Sequence, residues 1–167
     1  IEDEVVNCLE FAFDVLKSYG FDRYKAEISI WDGGVSGKYV GTPAQWELAQ
    51  NALEKAVARV GLEATVIPDE AAFYGPKVDV KLLDALDRPW QLSTVQFDFT
   101  LPNRFQLEYV GEDGGKHQPL MVHRALYGSV ERFFGILLEH YAGAFPIWLA
   151  PVQVIVLPIA DRHSAYA

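Results

Sequence analysis

Trp90-Gln91-Leu92-Ser93-Thr94-Val95-Gln96-Phe97-Asp98-Phe99 is the stretch that decides the fold of this chain. Its alternation of polar and apolar residues predicts a β-strand. Strict alternation divides the side chains between two faces, with Gln91, Ser93, Val95, Phe97 and Phe99 on one and Leu92, Thr94, Gln96 and Asp98 on the other. Apart from Leu92 the second face is polar. Such a face suits either bulk water, which is the commoner explanation, or a ligand cleft.

One further strand is predicted on each side of this one, over residues 78–83 and 104–110. The connecting segments, residues 84–89 and 101–103, are too short to contain a crossover helix. Consecutive strands joined by such short connections must pair antiparallel. The middle of the chain therefore predicts an antiparallel sheet with residues 90–99 near its centre.

Two helices are predicted before this block: an amphipathic one over residues 1–19, where apolar residues recur every three to four positions, and a second over residues 43–60, which Gly61 ends. The second helix is preceded by Thr42-Pro43-Ala44-Gln45, whose threonine and glutamine can form a capping box. Alternating or apolar stretches over residues 24–31 and 62–67 predict two further strands.

Polar loops are predicted over residues 32–37 and 111–119. The second loop contains two adjacent glycines, and we expect it to be the most mobile internal segment. A helix over residues 129–141 and an apolar strand over residues 152–157 follow. Helices before and after a block of hairpin-linked strands predict the α+β class, with an antiparallel sheet flanked by helices.

The composition is that of an ordinary globular protein, since 50% of the 167 residues are hydrophobic and 22% are charged. We interpret residues 1–150 as one domain and residues 151–167 as the start of another, because the last strand has no obvious partner nearby. The formal net charge of −9 argues against nucleic-acid binding through a broad basic surface. Any nucleic-acid contact must be local or lie elsewhere.

The single cysteine, Cys8, is expected to pack in the core rather than act as a nucleophile. Without an internal disulfide the chain suits a reducing compartment, and a cytoplasmic location is expected. No apolar run approaches the about 20 residues of a membrane span, and no signal-peptide pattern is present, so no membrane partner is expected. The chain begins with Ile1 rather than Met, which suggests further residues upstream.

Two cationic side chains are candidates for binding an anion. Lys77 follows a Gly75-Pro76 turn at the start of a strand, although a solvated lysine on a surface turn is the commoner explanation. Arg132 lies among apolar neighbours, and its planar guanidinium suits phosphate oxygens. The alternative is that Arg132 forms a surface ion pair with Glu131 or Glu139.

His123 is the third candidate, but a lone histidine is more often a hydrogen-bonded structural residue than a metal ligand. A zinc site needs at least three protein ligands, and no other Cys or His lies at conventional spacing. The chain also lacks the GxGxxG, P-loop, HExxH and GxSxG motifs. The residues alone therefore indicate an α+β domain with a candidate site for an anionic ligand.

Residues 121–137, MVHRALYGSVERFFGIL, resemble motif 3 of the class II aminoacyl-tRNA synthetases. The form HRA before GSxERFxGIL, with FPxWLAPVQV after it, is similar to the threonyl-tRNA synthetases. Further segments match that family in order along nearly the whole chain: KYVG at 38–41, AFYGPK at 72–77, WQ at 90–91, TVQFDF at 94–99, LP at 101–102 and YVGED at 109–113.

The resemblance implies a role for each candidate in nucleotide binding. Arg132 would be the motif 3 arginine that holds the ATP phosphates. Gln91 and Thr94 match positions that contact the adenylate. The function implied is activation of L-threonine by ATP, with Mg²⁺ accompanying ATP, and transfer of the threonyl group to tRNA(Thr).

The resemblance also implies an amino-acid pocket. Tyr74 and Gln96 match residues that line it, and Lys77 is a candidate for contacting the carboxylate or the α-phosphate. His123 matches one of three zinc ligands, where the metal binds the amino and hydroxyl groups of threonine and so excludes valine. Leu92 departs from a cysteine found in some members.

The chain lacks other parts that the family would supply. The remaining two zinc ligands, motif 1 with its homodimer interface, and motif 2 with its arginine would all lie upstream of Ile1, and Cys8 is not the missing ligand. Residues 1–150 would thus be a partial catalytic core, residues 151–167 the start of a linker or anticodon-binding domain, and the isolated chain inactive. The alternative is a non-catalytic, synthetase-like regulatory domain that binds a nucleotide.

Overall fold

The computed structural model describes residues 1–34 and 37–166. The predicted loop over residues 32–37 includes residues 35 and 36, which lie outside the described residues. The elements in chain order are α1 Glu2–Ser18, β1 Tyr24–Ile30, α2 Pro43–Arg59, β2 Ala64–Pro68, β3 Lys77–Leu83, β4 Pro89–Asp98, α3 Thr100–Arg104, β5 Tyr109–Val110, β6 Lys116–His117, β7 Met121–Ala125 and α4 Val130–Tyr141.

Five of these strands form one sheet in the order β2-β1-β3-β4-β7. The pairs β1–β3, β3–β4 and β4–β7 are antiparallel, which confirms the predicted antiparallel pairing of β3 with β4 and the interior position of β4. The sheet is nevertheless mixed, because β2 pairs with β1 in parallel. The physical reason is that α2 connects these two strands, and a helix is long enough to return the chain to the same end of the sheet.

The core lies between one face of this sheet and the helices. Apolar residues of α1 and α2, such as Leu9 and Leu53, pack with Val78 and Val95 of β3 and β4. Thr42 accepts a hydrogen bond from the Gln45 main chain and Gln45 accepts one from the Thr42 main chain, so the predicted capping box is confirmed. These contacts leave the opposite face of the sheet for polar side chains.

The helix α4 packs at the end of the sheet beside β4. Its buried residues Phe133, Ile136 and Leu137 contact Leu92 and neighbouring apolar side chains. Ser129 caps the helix, because its hydroxyl accepts a hydrogen bond from the main-chain N–H of Arg132. The helix predicted to carry Arg132 is therefore confirmed, together with its position against the sheet.

A bulge in β4 corrects the strict alternation predicted for this strand. Val80 pairs with Ser93, but the next residue of β3, Lys81, pairs with Gln91, so the pairing skips Leu92. The side chain of Leu92 is buried on the helix face. Gln91 and Thr94 consequently lie on the same face of the sheet rather than on opposite faces.

The strand predicted over residues 104–110 is wrong. The short helix α3 ends at Arg104, and residues 105–108 form no strand. At the start of α3 the Asp98 carboxylate accepts hydrogen bonds from the N–H groups of Thr100 and Leu101. Only β5 remains of that strand, and it pairs with β6 in a separate ribbon. Because β6 lies within residues 111–119, that segment is the turn and second strand of a hairpin; its mobility remains a prediction.

Two further differences concern the last third of the chain. The strand β7 was not predicted, because its Met-Val-His-Arg-Ala sequence lacks a clear apolar alternation. The strand predicted over residues 152–157 is wrong, since this apolar segment is exposed and forms no strand among the described residues. An apolar stretch becomes a strand only when a partner strand satisfies its main-chain groups. No described helix is both long and apolar enough to cross a membrane.

Candidate ligand-binding site

The polar face of the sheet gathers the predicted site residues around a buried carboxylate. Asp79 of β3 is 3% exposed, and its Oδ1 accepts hydrogen bonds from Gln91 Nε2 and Thr94 Oγ1, both over 2.7 Å. Its other oxygen, Oδ2, contacts the ammonium group of Lys77. One carboxylate thus connects three of the residues that the sequence pointed to.

Lys77 and Tyr74 are held over the sheet by the segment before β3. Tyr74 donates a hydrogen bond over 2.9 Å to the side-chain oxygen of Gln96, which is the cross-strand partner of Lys77. The main chain approaches β4 so closely at Gly75 that an added Cβ atom would overlap the main-chain oxygen of Phe97. A glycine is therefore required at this position.

His123 faces the same site from β7, where it is the cross-strand partner of Gln96. Its Nε2 lies 2.8 Å from Oδ2 of Asp98, a fully buried carboxylate whose other oxygen holds the first turn of α3. The Tyr74 and His123 rings meet edge to face, with centroids 6.2 Å apart. These contacts fix the orientation of the imidazole and leave Nδ1 without a hydrogen-bond partner among the described residues.

This arrangement fits a histidine that serves as one metal ligand, because ligating histidines commonly direct their second nitrogen at a carboxylate. It does not make a complete metal site. Within the described residues, no group of three or more His, Cys, Asp or Glu side chains is placed to hold a metal ion. The fit to zinc is thus limited to one ligand, His123, and its supporting carboxylate, Asp98.

Arg132 enters the site from the first turn of α4. Its Nη1 donates a hydrogen bond over 2.9 Å to the main-chain oxygen of Gln91. The alternative of a surface ion pair between Arg132 and Glu131 or Glu139 is not observed. Glu139 pairs with Arg88 instead, and no ion pair of Glu131 with Arg132 occurs in the described part of the chain. The exposed guanidinium retains further N–H groups that can bind an anion.

An open cavity of about 400 Å³ adjoins this arginine. It lies between the start of β4 and the outer turns of α4 and is lined by Trp90, Glu131, Arg132, Gly135, Ile136 and Glu139. The structure thus brings Tyr74, Lys77, Gln91, Thr94, Gln96 and His123 onto one face of the sheet and places Arg132 at its edge.

The buried carboxylates of Asp79 and Asp98 were missed as site residues. Asp79 carries a signal that sequence inspection could have used, because it is a charged residue between two β-branched apolar residues, Val78 and Val80, of an interior strand. Such a charge must be paired when it is buried. The role of Asp98 could not be seen from the sequence, since its partner His123 belongs to the strand that was not predicted.

A second carboxylate cluster stabilises the β3–β4 hairpin outside the site. Burial raises the pKa of Asp84, but hydrogen bonds from the Trp90 indole, from the main chain and guanidinium of Arg88 and from the Leu86 N–H outweigh it, and the pKa falls well below its usual value. Arg88 also pairs with Glu139 of α4 over 2.9 Å. The hairpin is thereby joined to the helix that carries Arg132.

Cys8 lies in α1 and is buried in the core. Burial and the neighbouring Glu4 raise the pKa of its thiol. A raised pKa leaves less of the reactive thiolate at neutral pH. These observations agree with the expectation that Cys8 packs in the core.

Residues 1–141 match the family model of the class II tRNA synthetase core domain (G, H, P, S and T). The chain belongs to the class II tRNA synthetase core family. The resemblance drawn from motif 3 is therefore confirmed.

Two relatives of this synthetase core are threonine–tRNA ligases. The chain is 62% identical over 167 residues to the threonine–tRNA ligase of Acidobacterium capsulatum and 53% identical over 168 residues to that of Aquifex aeolicus. It is covered completely in both alignments, but it spans only 24% and 26% of those two proteins. The chain thus corresponds to about a quarter of the length of these ligases.

Solved structures support the fold of the synthetase core. A crystal structure titled as the RNA-binding domain of threonyl-tRNA synthetase from Cryptosporidium parvum superposes with a TM-score of 0.90 at 40% identity, covering 99% of this chain and 40% of that one. A putative threonyl-tRNA synthetase from Aeropyrum pernix gives a TM-score of 0.80 at 36% identity, covering 90% and 36% of the two chains. The predicted α+β class is confirmed.

Proposed function

We propose that the protein containing this chain is a threonine–tRNA ligase, which activates L-threonine with ATP and transfers the threonyl group to tRNA(Thr). The observation that carries the proposal is the convergence of Lys77, Gln91, Thr94 and Gln96 on one sheet face, with Arg132 beside them, in a chain of the synthetase core family. The similarity to threonine–tRNA ligases over the whole chain supports the choice of amino acid.

Arg132 would bind and neutralise the phosphates of ATP in the first half-reaction. There the carboxylate of threonine attacks the α-phosphorus, a new P–O bond forms, and the bond to pyrophosphate breaks. Negative charge grows on the phosphate oxygens during this step, and a guanidinium that is already in position stabilises it. The hydrogen bond from Arg132 to the Gln91 carbonyl supplies that fixed position. Mg²⁺ would accompany the nucleotide.

Lys77 provides a second cation on the ligand face. Its ammonium group is held by Asp79, which uses one of its protons and leaves others for the threonine carboxylate or the α-phosphate. Gln91 and Thr94 would contact the adenylate beside it. Tyr74 and Gln96, which are hydrogen-bonded to each other, would line the amino-acid pocket.

His123 would be one of three zinc ligands, with Asp98 orienting its ring. When bound, zinc would supply a Lewis-acid contact to the amino and hydroxyl groups of threonine. The other two ligands would come from residues outside this chain. In this chain, Asp98 and the edge-to-face contact with Tyr74 hold the imidazole for that purpose.

The remaining features of the proposal concern the whole protein. Residues 1–150 would form a partial catalytic core without motifs 1 and 2, and residues 151–167 would begin the linker to an anticodon-binding domain. The intact protein would be a cytoplasmic homodimer. The exposed apolar side chains of residues 152–157 support a continuation of the structure beyond this segment, because an isolated domain would rarely leave such a stretch uncovered.

The alternative, a non-catalytic regulatory domain that binds a nucleotide, receives no support from the relatives, which carry the names of ligases. Threonine-dependent exchange of pyrophosphate into ATP tests the choice. The full-length protein is expected to catalyse this exchange with threonine, and the isolated 167 residues are expected to show none. Exchange by the isolated chain would mean that these residues form a complete site, and no exchange by the full-length protein would favour the regulatory domain.

A further inference from the structure

The connection between β2 and β3 carries Tyr74 on a turn at the protein surface. Residues 72–75 form this tight turn. The ring of Phe73 is 52% exposed, so burial of that side chain does not fix the turn. After Tyr74 the chain is held by the close approach of Gly75 to the Phe97 main-chain oxygen. The side of the turn before Tyr74 needs a support of its own.

The segment of residues 38–41, Lys-Tyr-Val-Gly, supplies that support through hydrogen bonds to main-chain oxygens. The Val40 N–H donates to the Phe73 carbonyl over 2.8 Å. Lys38 Nζ donates to the Asp69 carbonyl over 2.6 Å, four residues before Phe73. The connection between β2 and β3 is thus bonded to the 38–41 segment at two points, and the second lies directly before the tyrosine.

Trp46 of α2 in turn fixes the 38–41 segment. Its indole Nε1–H donates to the Val40 carbonyl over 2.8 Å, so both main-chain polar groups of Val40 are hydrogen-bonded. The Trp46 ring is 2% exposed and meets the rings of Tyr39 and Phe99 edge to face, with centroids 5.1 and 5.7 Å away. Because an indole has a single N–H and no acceptor, this rigidly packed ring has one polar task, which is to hold the Val40 carbonyl.

We propose that Trp46 is a positioning residue for the amino-acid pocket, which acts on Tyr74 through the main chain of Val40. The inference rests on the proposed function, since it takes Tyr74 as part of the threonine pocket. Tyr74 donates a hydrogen bond to Gln96 over 2.9 Å, and a shift of its turn lengthens this contact in the pocket. Arg132 is held by the β4 main chain instead, so ATP binding is independent of this path.

Trp46→Phe tests the proposal, because it keeps a buried aromatic ring and removes the N–H. Threonine-dependent pyrophosphate exchange by the full-length protein is measured over a range of threonine and of ATP concentrations. The KM for threonine should rise about three- to tenfold, as for one lost hydrogen bond, and the KM for ATP should stay at the wild-type value. An unchanged KM for threonine, or an equal rise in both KM values, would overturn the inference.

Leu53→Val is the matched control for lost packing. Leu53 is fully buried in the same core as Trp46, and its side chain makes no hydrogen bond. The control should keep both KM values, since a loss of stability lowers the active fraction, and hence the apparent kcat, without separating threonine from ATP. A rise in the threonine KM of Leu53→Val like that of Trp46→Phe would assign the effect to packing and contradict the proposal.

A second pair of variants avoids the buried ring, so it remains informative if Trp46→Phe does not fold. The Val40 side chain is 46% exposed. Val40→Pro removes the N–H that binds the Phe73 carbonyl, whereas Val40→Ala keeps it. The proline variant should raise the KM for threonine and leave that for ATP unchanged, and the alanine variant should resemble the wild type. Equal threonine KM values in the two variants would count against the path through Val40.

The double variant Trp46→Phe/Tyr74→Phe shows whether Trp46 acts through Tyr74. Tyr74→Phe alone removes the hydroxyl that reaches Gln96. Adding Trp46→Phe should then change the KM for threonine little, because the contact that it positions is already absent. Increases that multiply would mean that Trp46 acts elsewhere, and the inference would be wrong. A wild-type full-length protein without threonine-dependent exchange would instead overturn the proposed function, and this inference with it, which distinguishes the two failures.

Discussion

Arg132 donates a hydrogen bond from its guanidinium Nη1 to the main-chain oxygen of Gln91, 2.9 Å away and 41 residues earlier in the chain. This bond joins the first turn of α4 to the bulged part of β4. The position of the guanidinium is therefore fixed by its contact with the sheet, which limits the motion of the flexible arginine side chain. A guanidinium fixed in this way needs little reorganisation when it binds an anion.

Replacing Arg132 with Ala in the full-length protein should reduce threonine-dependent pyrophosphate exchange by about 10²–10³ in kcat, because a positioned donor to the phosphates is lost. Arg132→Lys should recover only part of that activity, since an ammonium group lacks the planar fork. Arg104→Ala, an exposed arginine of α3, is the control and should retain wild-type exchange. Unchanged kcat in Arg132→Ala would remove this residue from the mechanism.

His123→Ala should act on amino-acid recognition rather than on the phosphates. In the full-length protein we expect it to lower the zinc content, raise the KM for threonine and weaken discrimination against valine. Asp98→Asn should show a milder form of the same effects, because Asp98 contacts His123 Nε2 over 2.8 Å. The measurements are metal analysis and exchange with each amino acid. The isolated chain should not bind zinc stoichiometrically, and a stoichiometric metal there would identify ligands that were overlooked.

Two glycine substitutions should change stability in opposite directions. Gly75→Ala places a Cβ against the Phe97 main-chain oxygen, and the strand must move, so the free energy of unfolding should fall by about 2–4 kcal/mol. Gly135→Ala meets nothing within 4 Å in the middle of α4 and should raise it by about 0.5–1 kcal/mol. Urea denaturation of the chain measures both. Equal stabilities of the two variants would show that the close approach at Gly75 is not rigid.

Asp84 should contribute to the acid sensitivity of the chain. Its pKa is lowered from the usual 3.8, because hydrogen bonds from Trp90, Arg88 and Leu86 outweigh the effect of burial. Its stabilisation is therefore complete above about pH 4 and is lost as the pH falls below that value, where the unfolded chain takes up the proton first.

Asp84→Asn should accordingly lose stability less steeply than the wild-type chain below about pH 4. The measurement is the free energy of unfolding in urea at several pH values between neutrality and acid. Asp14→Asn is the matched control on the exposed side of α1 and should follow the wild-type slope. Identical slopes for Asp84→Asn and the wild-type chain would contradict the assignment.

Local physical chemistry made much of the fold predictable from the sequence. The three-to-four-residue periodicity predicted α1, and the capping box located the start of α2 correctly. Short connections forced β3 and β4 to pair antiparallel. Each of these features depends on residues close together in the chain, so the sequence contains all of the information. The motif 3 segment likewise indicated the family before any contact was known.

The site itself was decided by contacts between distant residues. The strand β7 has little alternation of its own and forms because β4 offers a partner, and the absence of such a partner leaves residues 152–157 outside any described strand. The bulge at Leu92 placed Gln91 and Thr94 on one face, against strict alternation. Asp79 meets Gln91 and Thr94 only through that register. Sequence periodicity describes one strand at a time. The pairing of strands determines which side chains lie next to each other across the sheet, and that pairing is fixed only when the whole sheet assembles.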